Sequence, residues 1–222
     1  MASAEEAQLA IRAGADAVGF VGAMPSGPRV IDDSTIAGLA ALVPPPIATF
    51  LLTSEATAEA IARHVERTHP STVQIVSYIG ASEAAKLAEL LPAVRRVQVI
   101  HVEDEQVFGL IEGYAPHVHA FLLDSGRPNL AVPEYGGTGR THDWGISAEF
   151  VRRSPRPVFL AGGLTPANVR EAVVRVRPFG VDLCSGVRAE RRLDSGKLDA
   201  FIGAVRQADL DLRDMIRPGS EA

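Results

Sequence analysis

Two short glycine-bearing segments are the parts of this chain best suited to hold an anion. Gly162 and Gly163 precede Thr165-Pro166, and Ser185-Gly186 follow the run VDLC. Glycines let backbone N–H groups approach a phosphate closely, and a helix opening just beyond adds its dipole. Either segment alone reads equally well as an ordinary turn; the two together, each after a short apolar run late in the chain, favour a phosphate site. Asp124 closes the run AFLLD, where Phe121, Leu122 and Leu123 provide an apolar surround that holds a carboxyl partly neutral. A turn-forming aspartate at a strand end is the plainer alternative. His117 and His119 have strand spacing for a metal pair but stand before AFLLD, at the end of a strand that serves stability, so no metal is expected there. His101, closing VQVIHV, is the better placed imidazole. Cys184 is the one thiol, and within VDLCS it reads as an inert core side chain.

The elements that would carry these residues repeat along the chain. Apolar residues spaced i, i+3, i+4 and i+7 start at Ile36, Ala58, Ala84, Val107, Val169 and Leu198, each giving one stripe that packs on a sheet. The first helix opens at Ser3 with Glu6 three residues on, a capping box, and another opens with Thr165 as N-cap and Pro166 in its first turn. A helix over 147–153 fills one more crossover, for eight in all. Between them lie AVGFV, IATFLL, TVQIVS, VQVIHV, AFLLD, VFLA and VDLCS, continuous apolar runs of the kind parallel strands show when both faces are buried. Strands followed by helices in this rhythm predict an α/β fold, a (β/α)8 TIM barrel, as a single domain over 1–222, with 208–222 ending the last helix in a loose tail. In such a barrel ligands sit at the C-terminal ends of the strands, with phosphate held by the loops after the last two. A closed barrel needs a strand before the first helix, and none is read; AVGFV and VDLCS would then present unpaired edges. Either the reading frame starts upstream of Met1 or the barrel is open, and the upstream start is the expectation.

Composition narrows the function classes. The 222 residues, 23.5 kDa, are 46% apolar and 22% charged with mean hydropathy +0.10, enough for a sizeable core. Lys and Arg number 22 against 27 Asp and Glu, a formal net charge of −5 and a pI near 5.7, which argues against nucleic acid or an anionic membrane as partner. A lone cysteine excludes an internal disulfide or a Cys-based zinc site and fits a reducing cytosol. The acidic opening MASAEEAQLAIRAG has no basic leader, and no stretch is apolar for the roughly 18 residues a membrane span requires. A cytoplasmic protein is expected.

Six stretches, in order, carry a resemblance to a known family. AGADAVGF, PSGPR ending in Arg29, FLLDS with Asp124, GGTGRTHDW from Gly136, FLAGGLTPANV and PFGVDLCSGV are similar to the landmarks of phosphoribosylanthranilate isomerase of tryptophan biosynthesis and span Ala13 to Val187. GGTG-x-x-x-DW followed by LAGGL-x-P-x-NV is the most specific part. The resemblance implies an Amadori rearrangement: the ribosylamine ring opens and the C2 proton is removed, giving an aminodeoxyribulose phosphate. No cofactor is implied, because the substrate nitrogen itself forms the iminium that acidifies C2. Asp124 matches the family's general acid, which protonates the ring oxygen as the C1–O bond breaks. Arg29 matches the arginine beside the anthranilate carboxylate, whose shape suits its planar fork, although a solvated loop arginine is the plainer reading. Gly162, Gly163, Ser185 and Gly186 take the phosphate positions.

The chain departs from the family pattern in several places. The family's general base is a cysteine in a Lys-Ile-Cys-Gly type motif at the end of strand one, and no such motif occurs here. VQIVSYI lacks the His-Gly step usual after Val-Gln, and His142 stands where an aromatic is common before Asp143-Trp144. The stretch from Ser125 to Gly145, with PEYGGT inside it, is long for a βα connection and suits a lid. Three functions therefore stay open: an active isomerase with its base upstream of Met1, a phosphosugar-binding paralogue that does not isomerise, or another sugar-phosphate isomerase such as the aminoimidazole carboxamide isomerase of histidine synthesis. All three take a small phosphosugar and need neither nucleic acid nor membrane, as monomer or homodimer.

Overall fold

A computed structural model describes residues 1–24, 30–127, 139–190 and 192–216. Strands and helices alternate: α1 (Ala4–Ala13), β1 (Ala17–Val21), α2 (Asp33–Leu42), β2 (Ala48–Thr53), α3 (Ala58–Thr68), β3 (Thr72–Ile75), α4 (Ala81–Leu90) and β4 (Arg95–His101). A 3-10 turn (Glu105–Gly109) runs into α5 (Leu110–Tyr114), then β5 (Ala120–Asp124), α6 (Trp144–Arg153), β6 (Val158–Leu160), α7 (Val169–Val176) and β7 (Gly180–Val181) follow. A small hairpin of β8 (Arg188–Ala189) and β9 (Arg192–Leu193) precedes the closing helix α8 (Ser195–Ile216). The helix runs through most of the expected tail, and 217–222 lie outside the described residues.

β1 to β7 form one sheet in chain order, every neighbouring pair parallel. Side chains alternate between two faces, and each face has its own core. Phe20, Leu51, Val73, Ile75, Ile100, Phe121 and Leu123 pack outward against the apolar helix stripes in the larger cluster. Val97, Val99, Ala120, Leu122 and Ala161 form a second cluster with Phe50 and Phe159, drawn among the described residues from strands and the segments leaving them. Phe50 on β2 and Phe159 on β6 meet edge to face with ring centroids 6.2 Å apart, although β3, β4 and β5 lie between their strands in the sheet. The sheet is therefore curled so that its inner face packs on itself, the arrangement of a (β/α)8 barrel. This double burial is why the strands read as continuous apolar runs.

Caps explain where helices begin, and two differ from expectation. Ser3 Oγ accepts from Glu6 N at 3.3 Å as anticipated, but the Glu6 carboxylate accepts from Ala2 N at 3.1 Å and pairs with Arg188 instead of returning to Ser3. Arg188, with 7% of its side chain exposed, requires an anion. Thr165 does not cap α7; Asn168 does. Its Oδ1 accepts from Thr165 N at 2.8 Å and its Nδ2 donates to Gly163 O at 3.0 Å, which holds 165–168 as a turn ahead of the helix. VDLCS is also a shorter strand than expected. The ladder with β6 ends at Leu160–Val181, and the chain then turns through a 3-10 segment at Ser185–Val187.

Candidate active site

The C-terminal rim of the sheet lines up its chemistry by register. His101 on β4 pairs with Asp124 on β5. Leu123 pairs with Leu160, so Ala161 stands one step on beside Asp124; Leu160 pairs with Val181, so Asp182 follows beside Ala161. Bonds from Ala161 N to Leu123 O (2.7 Å) and from Asp182 N to Leu160 O (2.8 Å) hold that row. All four residues share the inner face, and Asp124 and Asp182 are two strands apart, about 10 Å between backbones, with only the Ala161 methyl between them. Asp124, Asp182 and Cys184 line one cleft with Gly162, Gly163 and Ser185.

Burial sets the electrostatics of the row. Asp124 is pushed above the usual carboxylate range chiefly by burial, against the opposing pull of Ser125 N, which donates at 2.7 Å, and of the His101 ring. Asp182 is pushed up to about 6, first by burial and second by the charge on Asp124, with the Leu183 N–H and the N-terminal amine opposing. Burial lowers His101, whose Nε2 donates to Val76 O at 2.9 Å. The aspartate expected from the sequence to be the acid is thus one that burial raises, and Asp182, absent from the sequence expectation, joins it. Asp182 sat inside an apolar run, and only the register shows that it faces the site.

The two glycine segments lie beside one another. Gly162 and Gly163 have φ of 80° and 63°, a left-handed backbone that favours glycine. A Cβ on Gly163 would stand 2.5 Å from the Arg140 carbonyl carbon, and one on Gly186 would collide with the Leu164 carbonyl. Three stretches of backbone, near 140, 163 and 186, therefore close on one another beside Ser185.

Other sequence candidates fall elsewhere. Arg29 and the 128–138 part of the expected lid, including Gly136, lie outside the described residues. Cys184 is half-buried at the cleft rather than in the core, because the strand ends before reaching it. His119 Nδ1 accepts from Arg96 N at 3.1 Å and His117 O accepts from Arg96 Nε at 2.9 Å, so that pair braces the opposite end of the sheet. No cluster of three or more metal-binding side chains occurs among the described residues. His142 packs behind the cleft. Its Nε2 stands 2.8 Å from Ser147 Oγ, and its Nδ1, without a partner, would lie 3.0 Å from a Cβ on Gly162; burial lowers its pKa to about 4.

A parallel barrel with acidic side chains and glycine-backed loops at the C-terminal ends of its strands has the arrangement of the (β/α)8-barrel enzymes, whose sites lie at that end. The family model described as N-(5'phosphoribosyl)anthranilate (PRA) isomerase matches residues 1–204, and the chain belongs to that family. It is 36% identical over 206 residues to the N-(5'-phosphoribosyl)anthranilate isomerase of Haloarcula marismortui, covering 92% of each chain. To that of Halobacterium salinarum it is 38% identical over 195 residues, 87% of each. Among solved structures it is similar to the phosphoribosyl anthranilate isomerases of Thermotoga maritima (TM-score 0.79, 28% identity, 93% and 96% of the chains) and Thermococcus kodakaraensis (0.76, 29%, 93% and 95%). No described helix is long and apolar enough to cross a membrane.

Proposed function

We propose that this chain isomerises N-(5'-phosphoribosyl)anthranilate to the carboxyphenylamino-deoxyribulose phosphate of tryptophan biosynthesis. One observation carries the site assignment: Asp124, raised above the usual carboxylate range by burial, lines the same cleft as the paired glycine segments. Backbone donors around Gly162, Gly163, Ser185 and Gly186 would hold the phosphate. The sugar would then extend over Ala161 toward Asp124, which gives its proton to the ring oxygen as the C1–O bond breaks. Arg29 would take the anthranilate carboxylate. The substrate nitrogen supplies the electron pair for ring opening, so the scheme uses no cofactor. Support for the substrate comes from the family and from a related isomerase (TM-score 0.77, 26% identity) crystallised with reduced 1-(o-carboxyphenylamino)-1-deoxyribulose 5-phosphate. The enzyme would work in the cytoplasm as a monomer or a homodimer. The test is turnover of freshly generated phosphoribosylanthranilate, followed by loss of its fluorescence; a protein that binds the substrate without converting it would leave the non-isomerising paralogue in its place.

A further inference from the structure

The chain leaves β1 at Val21 and returns to it at Val30. Val30 bridges Val21 in parallel, and Ile31 N donates to Val21 O at 3.0 Å. The stretch between carries Arg29, the cation proposed to take the anthranilate carboxylate. One buried imidazole, His64 on α3, touches the chain at both ends of that stretch. At the departing end, a Cβ on Gly22 would stand 2.5 Å from His64 Cε1 and 2.7 Å from Nε2, so only the bare Cα of glycine lets the backbone run against the ring. Gly22 N donates to Leu52 O at 3.0 Å and Ser54 Oγ to Ala23 O at 3.4 Å, which holds this end against the end of β2. At the returning end, His64 Nε2 stands 3.1 Å from Oδ1 of Asp33, the first residue of α2, whose Oδ2 accepts from Arg67 Nε at 2.5 Å. The ring is itself fixed. Its Nδ1 lies 2.9 Å from Thr53 Oγ1, which already accepts from Glu55 N at 3.3 Å, so the hydroxyl donates to Nδ1 and Nε2–H donates to the Asp33 carboxylate.

We propose that His64 is a positioning residue for recognition of the substrate's carboxylate: by fixing Gly22 and Asp33 relative to each other, it sets the two points between which the Arg29 segment runs. The inference rests on the isomerase reading. An apolar side chain would fill the space beside Gly22 equally well. The imidazole adds a directed link from Thr53 at the end of β2 to Asp33 at the start of α2, and Arg67 secures the same carboxylate from the next turn of α3. A guanidinium meets both oxygens of a carboxylate only in a narrow range of orientations, and a shift of about 1 Å at the base of its segment is enough to spoil that fit. The effect belongs to binding. Asp124, on β5, is separated from β1 by three strands of the sheet, so the acid step does not depend on this link.

The experiment measures, by calorimetry on the full chain, binding of reduced 1-(o-carboxyphenylamino)-1-deoxyribulose 5-phosphate and of the same compound without its carboxyl. His64→Leu should weaken the first about tenfold, as partial loss of one charge-assisted hydrogen bond does, and leave the second unchanged. In turnover, KM should rise by a similar factor with kcat held. His64→Gln keeps one acceptor for Thr53 and one donor for Asp33, and should restore most of the affinity. In an Arg29→Ala background, His64→Leu should cost nothing further. Asp33→Ala, at a position 29% exposed, makes the same comparison where His64→Leu does not fold. Equal weakening of both compounds, no weakening of either, or an undiminished loss in the Arg29→Ala background would overturn the role and leave His64 as a packing residue. An unsubstituted chain that binds neither compound defeats the isomerase reading, and this inference with it; a chain that binds both tightly but shows no selective loss in the variants defeats this inference alone.

Discussion

A carboxyl that must give up a proton near neutral pH needs to sit above the ordinary carboxylate range, and burial moves Asp124 in that direction. Asp124→Asn retains the size and the Ser125 contact but has no proton of comparable acidity. A fall in kcat of about 10²-fold or more is expected, with the circular dichroism spectrum unchanged. Holding such carboxyls costs stability. Asp182 titrates near 6 in the folded protein against 3.8 as its ordinary value, so its stability contribution is full below pH 3.8 and is lost as pH rises to about 6. That displacement corresponds to about 3 kcal/mol. Asp182→Asn should therefore unfold at higher urea than the parent at pH 7.5, with the gap closing toward pH 4. Asp124 was legible in the sequence because it ends an apolar run; Asp182 was not, because a residue one place beyond the last ladder pair looks from the sequence like one more strand position.

At the scale of elements, the strands were legible because barrel strands are buried on both faces, and their runs fall within a few residues of the ladders. Helix starts were less so. Thr165-Pro166 has the composition of a helix opening, yet Asn168 satisfies both the Thr165 N–H and the Gly163 carbonyl and moves the start three residues on. That asparagine is thus a brace for the loop proposed to hold the phosphate. Asn168→Ala leaves one donor and one acceptor without it, at a cost of about 1 to 3 kcal/mol for each group that stays buried. The expected outcome is a lower melting temperature together with weaker binding of inorganic phosphate by calorimetry, with phosphate partly restoring the melting temperature. Gly186→Ala should act more severely, since its Cβ meets the Leu164 carbonyl, a backbone atom that can yield only by shifting the loop.

Across the whole molecule, the sequence exposed the problem of two strand edges, at AVGFV and VDLCS, but not how the chain arranges itself beside them. Hairpins of two-residue strands carry too little pattern to read, and partners 182 residues apart leave no local signal. In the fold, α1 packs on β1 and α8, and Glu6 accepts from Arg188 and from Leu193 N at the β8–β9 hairpin, tying the first helix to the segment that leaves β7. The pair is largely buried, with 16% of the Glu6 side chain exposed. Its environment holds Glu6 at about 2 against 4.5, burial opposing and Arg188 together with Ala2 N and Leu193 N prevailing. A depressed carboxyl contributes stability that is present above pH 4.5 and lost as pH falls through about 2, roughly 3 kcal/mol in all. Glu6→Gln should accordingly lower the urea midpoint at pH 7, because it leaves the Arg188 guanidinium without its anion, and the deficit should shrink as the comparison is carried down toward pH 2. Replacing both partners, Glu6→Leu with Arg188→Met, should recover much of the loss, since apolar side chains of similar volume remove the buried charge along with its partner. Equal midpoints for Glu6→Gln and the parent at pH 7 would show that α1 is held by its apolar contacts alone.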